Sequence, residues 1–307
     1  MATLKGQNLR IIIKDGSTYK CVGMSTNCVI TLTNNTEDAN TKDDPIGSPK
    51  PTVTNKSWSV QVDSLNVLDT AAILENIQNM YEFDLLWYET LTTNNQTTNH
   101  QTYARTGKAY LNDVNFTFND HTNSAKSLQF VGTGAISTTN SVTTVVQALG
   151  SYTKGQFVRL FLSANDTDDP TKVIAAAKQL TFHASMAFES ATTKDTEGEW
   201  DIQVPTSLSY DITSQALVRS GDTIDMTVLT LGQGLNDIEQ IYEAGTPVKW
   251  FIGNVEGKNN RELVENGVIV KGHAVLSQLV LTASNRQSAI YSAQLRGYGA
   301  YEFPTNS

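Results

Sequence analysis

Along much of the chain, apolar residues recur at every second position, the period of a pleated strand with one buried face. Ala109 and Leu111, then Val114, Phe116 and Phe118, keep this period. A turn cluster over 119–124 separates them from a second alternating run through Leu128 and Phe130. The pattern predicts a β-hairpin over 107–134, ended by Gly132 and Gly134 where another backbone comes close or a bulge is needed. Residues 272–299 repeat it without a gap, at an offset of 165 (272 − 107). Gly107, Ala109, Leu111, Ser127, Gly132 and Gly134 fall on Gly272, Ala274, Leu276, Ser292, Gly297 and Gly299. In this second hairpin Val275, Leu279 and Leu281 precede a turn at 284–287, and Ile290 and Leu295 follow it.

Before the first hairpin the pattern predicts strands over 6–13, 19–22 and 28–33. Residues 34–56 then turn polar, as a long loop or an extended hairpin too polar to form its own core. A strand over 57–62 follows, carrying Trp58. From 65 to 80 the period becomes helical, with Asp69 suited to the first turn. Residues 83–88 read as a buried strand and 92–101 as a polar loop. The second half keeps this order. Gly155 and Gln156 repeat Gly6 and Gln7 ahead of an apolar strand, and Val173 and Ile174 match the region of Val22. Phe182, Ala184, Met186 and Phe188 alternate, and Thr193–Asp195 parallels Thr41–Asp43 in what reads as a shorter acidic loop. Residues 204–212 take the place of the Trp58 strand, with Leu208 standing for the tryptophan. A short helix runs from Leu235 toward Gly245, and 247–252 form a buried strand. The expectation is a duplicated, mainly β chain with domains at 1–148 and 149–307.

Composition sharpens this picture. Only 17% of the 307 residues are charged, which suits β-rich surfaces better than long helices. No apolar run reaches the roughly 18 to 20 residues of a membrane helix, and the start of the chain lacks a secretory signal pattern. Folding in a cytoplasm is expected, with Cys21 and Cys28 as reduced core thiols. A net charge of −9 repels polyphosphate, which argues against conventional nucleic-acid binding. The same charge suits a channel through which DNA slides without sticking.

No cluster of residues in the sequence forms a recognisable catalytic or metal-binding motif. His100, His121, His183 and His273 are scattered and read as surface or turn residues, and none forms a metal-binding motif. Gly132–Gly134 and Gly232–Gly234 lack the third glycine of a phosphate loop and read as turns. Asp166, Asp168 and Asp169 lack the glycine and distal glutamate of a calcium loop. The expectation is no enzyme, no catalytic residue, no metal and no cofactor.

Taken in order, these elements resemble the phage tail tube (major tail protein) family, related to the tube proteins of contractile tails and type VI systems. The resemblance is carried by the opening strand, the polar stretch 34–56, the Ser57–Trp58–Ser59 strand, the helix 68–80 and the hairpin ending Gly132–Thr133–Gly134. It implies two tandem tail-tube-like β-sandwich or barrel domains, each with one flanking α-helix. It further implies a virion tail location after assembly in the host cytoplasm. The partners implied are other copies of the chain, tape measure, terminator and baseplate or hub proteins, with genomic DNA passing through the lumen unbound. A duplicated chain would form a trimeric, pseudo-hexameric ring, stacking through Asp38, Lys42, Asp43, Asp44, Lys194, Asp195 and Glu197. The alternatives are a tail hub, tube-initiator or terminator ring, or a two-domain β-sandwich adhesin or carbohydrate-binding protein with Trp200 as its contact residue.

Overall fold

A computed structural model describes residues 9–15, 18–22, 25–43, 50–65, 83–89, 97–98, 104–139, 145–147, 153–170, 172–174, 176–193, 200–218, 232–233, 235–256 and 262–302. Residues 66–80 of the predicted helix and His100 lie outside these residues. Among the described residues seventeen strands form one continuous sheet. In chain order they begin with β1 (Leu9–Asp15), β2 (Thr18–Cys21), β3 (Ser25–Asp38), β4 (Pro51–Ser64) and β5 (Phe83–Glu89). The short β6 (Thr97–Thr98), the hairpin of β7 (Ala104–Asn119) and β8 (Ala125–Thr139), and β9 (Val145–Gln147) follow. After a 3-10 turn at Gly155–Phe157 come β10 (Val158–Leu162), β11 (Lys172–Ile174), β12 (Ala177–Ser190), β13 (Gln203–Leu217) and β14 (Gly232–Gln233). Helix α1 (Leu235–Ala244) precedes β15 (Val248–Glu256), β16 (Glu262–Thr282) and β17 (Ile290–Glu302).

The pairings give the same neighbour order twice, antiparallel throughout. In the first half it runs β2-β1-β5-β7-β8-β4-β3. In the second it runs β11-β10-β15-β16-β17-β13-β12. Parallel β9 and β14 cap β2 and β11, respectively. Even the irregularities recur. The β7–β8 register slips between Leu111 and Asp113, and the β16–β17 register slips between Leu276 and Gln278, 165 residues on (276 − 111). A bulge inserts one extra residue and so reverses which side chains face inward. That is why the buried set changes from Ala109 and Leu111 to Val114, Phe116 and Phe118. In the second hairpin the inward residues ahead of the bulge are Ala274 and Leu276, so Val275 does not share the buried face. The turn residues His121 and Arg286 both have positive φ (62° and 64°), as do Gly134 and Gly299 (70° and 74°).

Gly132 and Gly134 do not end the strand, which continues to Thr139, and they form no turn. Gly132, together with Gly107, makes room for an aromatic ring, whereas Gly134 has open space at its Cβ position and is set by its positive φ. A Cβ on Gly107 would stand 2.5 Å from the Trp58 ring, and one on Gly132 would overlap it. The Trp58 indole donates to the Gly134 carbonyl at 3.1 Å. In the second half the same space is filled by Tyr210, 2.5 Å from a Cβ built on Gly297. Its hydroxyl donates to the His273 carbonyl. Tyr210, and not Leu208, is therefore the counterpart of Trp58.

Buried side chains from both halves merge into one cluster that includes Trp58, Phe116, Phe182, Tyr210, Trp250, Tyr291 and Tyr301. Helix α1 lays Ile238 and Ile241 on this cluster and stops at Gly245, whose φ of 61° suits a helix end.

Candidate assembly surfaces

Strand β7 changes partners along one edge. Residues 104–109 pair with β5 of their own half, whereas 113–119 pair antiparallel with β12 of the other half. The bulge after Leu111 falls between these segments. At the centre of the joint Phe116 opposes Phe182, both fully buried, with ring centroids 5.9 Å apart. Phe182 also meets Trp250 at 5.9 Å and the edge of Tyr301 at 5.5 Å, so the joint is part of the core. On the other sheet face His183 of β12 lies between two carboxylates, 2.7 Å from Asp113 of β7 and 3.1 Å from Asp211 of β13. Burial alone would lower its pKa, but the hydrogen bonds and charges of Asp113 and Asp211 outweigh that and raise it. Both ring nitrogens can donate to carboxylates only when the imidazole is protonated. The expectation of a surface histidine misses this, because Asp113 and Asp211 are distant in sequence.

A second set of contacts reinforces the joint. The Asp201 amide donates to the Lys56 carbonyl at 2.9 Å, and the Gly134 amide donates to the Asp201 carbonyl at 2.8 Å. Asn55 donates to the Asp201 carboxylate at 2.6 Å. Trp200, next to this latch, is half-buried and packs on the main cluster. It holds the halves together and is not the exposed platform that carbohydrate recognition would need.

The polar stretch 34–56 is the extended hairpin among the two expected forms. Pairing continues to Asp38 opposite Pro51, and the Ala39 amide donates to the Lys50 carbonyl at 2.9 Å. The β12–β13 hairpin matches it, with Ser190 opposite Gln203 and the Ala191 amide donating to the Ile202 carbonyl at 2.8 Å. The connecting stretches 39–50 and 191–202 are equally long, so the second loop is not the shorter one. Asp38, Lys42 and Asp43 are exposed on the first arm. Asp44, Lys194, Asp195 and Glu197 lie outside the described residues.

Large apolar side chains are exposed in an uneven distribution. Val29 (44%) and Leu32 (52%) stand on β3, and Val280 (43%) and Leu281 (56%) on the outer part of β16. Leu281 belongs to the alternating run expected to share a buried face, but alternation marks a strand's faces and not its missing neighbour. Among the described residues no group of three or more histidine, cysteine or acidic side chains could hold a metal ion. Asp166 hydrogen-bonds His273, and Asp169 pairs with Lys249 at 3.4 Å, so the acidic run braces the second half. No helix among these residues is long and apolar enough to cross a membrane.

No family model and no curated protein matches the chain. Among the solved structures similar to about half of it are the following. One is the tail of an empty GTA particle computed with helical refinement in C6 symmetry, 15% identical over 49% of this chain and 96% of that one, with a TM-score of 0.36. Another is the virion of a native gene transfer agent particle, 15% identical over 50% and 99%, with a TM-score of 0.35. The third is the SPP1 tail tube from solid-state NMR and cryo EM, 16% identical over 49% and 78%, with a TM-score of 0.33.

Proposed function

We propose that the chain is a structural subunit of a phage tail tube, built from two copies of one module at 1–148 and 149–307. The observation that carries this reading is the repeated strand order with a β12–β7 joint between the repeats. A module that adds head to tail to its own copy has one used and one unused surface at every step. Such heterologous contacts generate closed rings or open filaments, depending on the rotation between modules. Three chains bring six modules, so the ring we propose is a trimer with pseudo-sixfold symmetry.

Rings then stack through the two equal arms, β3–β4 and β12–β13. Asp38, Lys42 and Asp43, exposed on the first arm, would make these contacts with Asp44, Lys194, Asp195 and Glu197. The net charge of −9 suits a wall along which DNA moves without adhering. The role requires no catalytic group and no cofactor. Tape measure, terminator and hub proteins would meet the two ends of the stack in the virion tail.

The test is the solution mass of the purified protein, with negative-stain images of the same fractions. Trimeric rings or hollow tubes are expected. Single rings that never stack would favour the hub, initiator or terminator role. A monomer that binds glycans would replace the whole reading with the adhesin.

A further inference from the structure

The two halves share a strand order, but one cluster of titratable groups is not repeated. His183 of β12 meets Asp113 of β7 through Nε2 and Asp211 of β13 through Nδ1. Asp113 belongs to the first half, and His183 and Asp211 belong to the second. Trp58 and Tyr210 are related by an offset of 152 (210 − 58). The same offset puts Thr31 at the place of His183 (183 − 31) and Ser59 at that of Asp211 (211 − 59). The hairpin offset of 165 puts Gln278 at the place of Asp113 (278 − 113). Acid and base thus stand at these positions only where the two halves meet.

The surroundings leave the imidazole in control of the local charge. On the strands that carry the cluster, the same-face neighbours are Asn115 and Thr117, Thr181 and Ser185, and Ser209 and Thr213, all uncharged. One strand further out, β8 sets Gln129 opposite Asp113, and β17 sets the exposed Arg296 opposite Asp211. With His183 protonated, charge alternates in sign along Asp113, His183, Asp211 and Arg296, across β7, β12, β13 and β17. A neutral imidazole has a single N–H, so it donates to one carboxylate and turns a lone pair on the other. Whichever nitrogen keeps its proton, the ion pair across the joint is gone. The His183 side chain is 35% exposed, so protons reach it without unfolding of the sheet.

We infer that His183 is a proton-operated lock on the joint between the halves. Charged, it holds β12 on the edge of β7; neutral, it lets the β7–β12 ladder open locally while each half keeps its own fold. The buried pair Phe116 and Phe182 on the other sheet face limits the response to this ladder and keeps the halves attached. Burial, the largest single influence, lowers the His183 pKa, but the hydrogen bonds and charges of Asp113 and Asp211 together raise it. A raised value means that the lock is fully closed below the ordinary histidine value of about 6.5. It is released as pH rises through the folded value. The lock is a property of one chain and does not depend on whether chains assemble.

Hydrogen exchange of the full chain, followed by mass spectrometry and corrected for intrinsic rates, tests this between about pH 6 and 9. Protection of 113–119 and 179–185 is expected to be highest in mild acid. It should fall about tenfold for each pH unit that separates the closed-joint and open-joint values of His183. The β16–β17 hairpin, 278–282 with 290–294, contains no histidine or acid and should keep its protection. His183→Gln retains hydrogen bonding without the charge and should make the joint insensitive to pH. Asp113→Asn leaves His183 in place, so it should shrink the pH dependence and lower the imidazole midpoint read by NMR. Loss of protection shared equally by the hairpin would assign the response to the whole fold and overturn the lock. A joint whose protection ignores pH, or a pH response that survives both substitutions, would overturn it as well.

Discussion

The Trp58 ring occupies the space above Gly107 and Gly132; Tyr210 occupies the matching space above Gly297 and shares that above Gly272 with Trp250. The glycine spacing is visible in the sequence, but its cause is not, because the aromatic partner comes from a strand far away in the chain. Gly132→Ala is expected to cost about 1 to 3 kcal/mol, since its Cβ would stand 2.1 Å from the buried indole of Trp58. Urea denaturation reads this directly, and an unchanged midpoint would show that the ring shifts freely. His183 supplies a second prediction at this scale. Its pKa is raised in the folded chain by Asp113 and Asp211 against the opposing effect of burial. A raised value means that the stabilisation is fully present below the ordinary histidine value of about 6.5. It fades as pH rises through the folded value. The denaturation midpoint of the parent chain relative to His183→Gln should therefore be highest in mild acid and shrink toward alkaline pH. A difference that grows with pH would contradict the assigned pair.

At the scale of elements, the hairpins were legible because alternation is a local signal. Helix α1 was legible because its stripe, dipole-favourable Asp237 and terminal Gly245 agree with one another. What escaped was the pairing of β7 with β12. The change of buried phase between Leu111 and Val114 marks a bulge, but a bulge does not say which strand joins beyond it. The two arms were also misjudged in relative length. The alternating run through Phe188 and the polar run after Thr33 hide the fact that both strands end at equivalent positions. Because the arms carry charge and the exposed apolar stretches of β3 and β16 do not, salt should act on them unequally. Raising ionic strength, or reversing charge by Lys42→Glu, is expected to shorten stacks while rings persist. Sedimentation with parallel images would check this, and rings that dissolve before stacks would reverse the assignment.

For the whole molecule, duplicated order was readable from the two hairpins alone, whereas the single continuous sheet was not. Continuity depends on edges meeting in space, and each half reads as self-contained along the chain. In the proposed ring, seams of two kinds alternate, one covalently tethered within a chain and one between chains. Truncation at the boundary near residue 148 is expected to yield a first half that exposes the β7 edge, including Phe116 and Phe118, and aggregates on expression. A soluble, monomeric first half would show that the joint is dispensable. The tether has a kinetic consequence as well. Joining two modules by a short linker converts one encounter into an intramolecular event at millimolar effective concentration. A ring of six separate modules forms in proportion to the sixth power of their concentration, and a ring of three double modules in proportion to the third power. The β12–β7 joint thereby makes assembly far less sensitive to dilution, so the onset of ring formation in a growing pool of subunits is gradual and begins early.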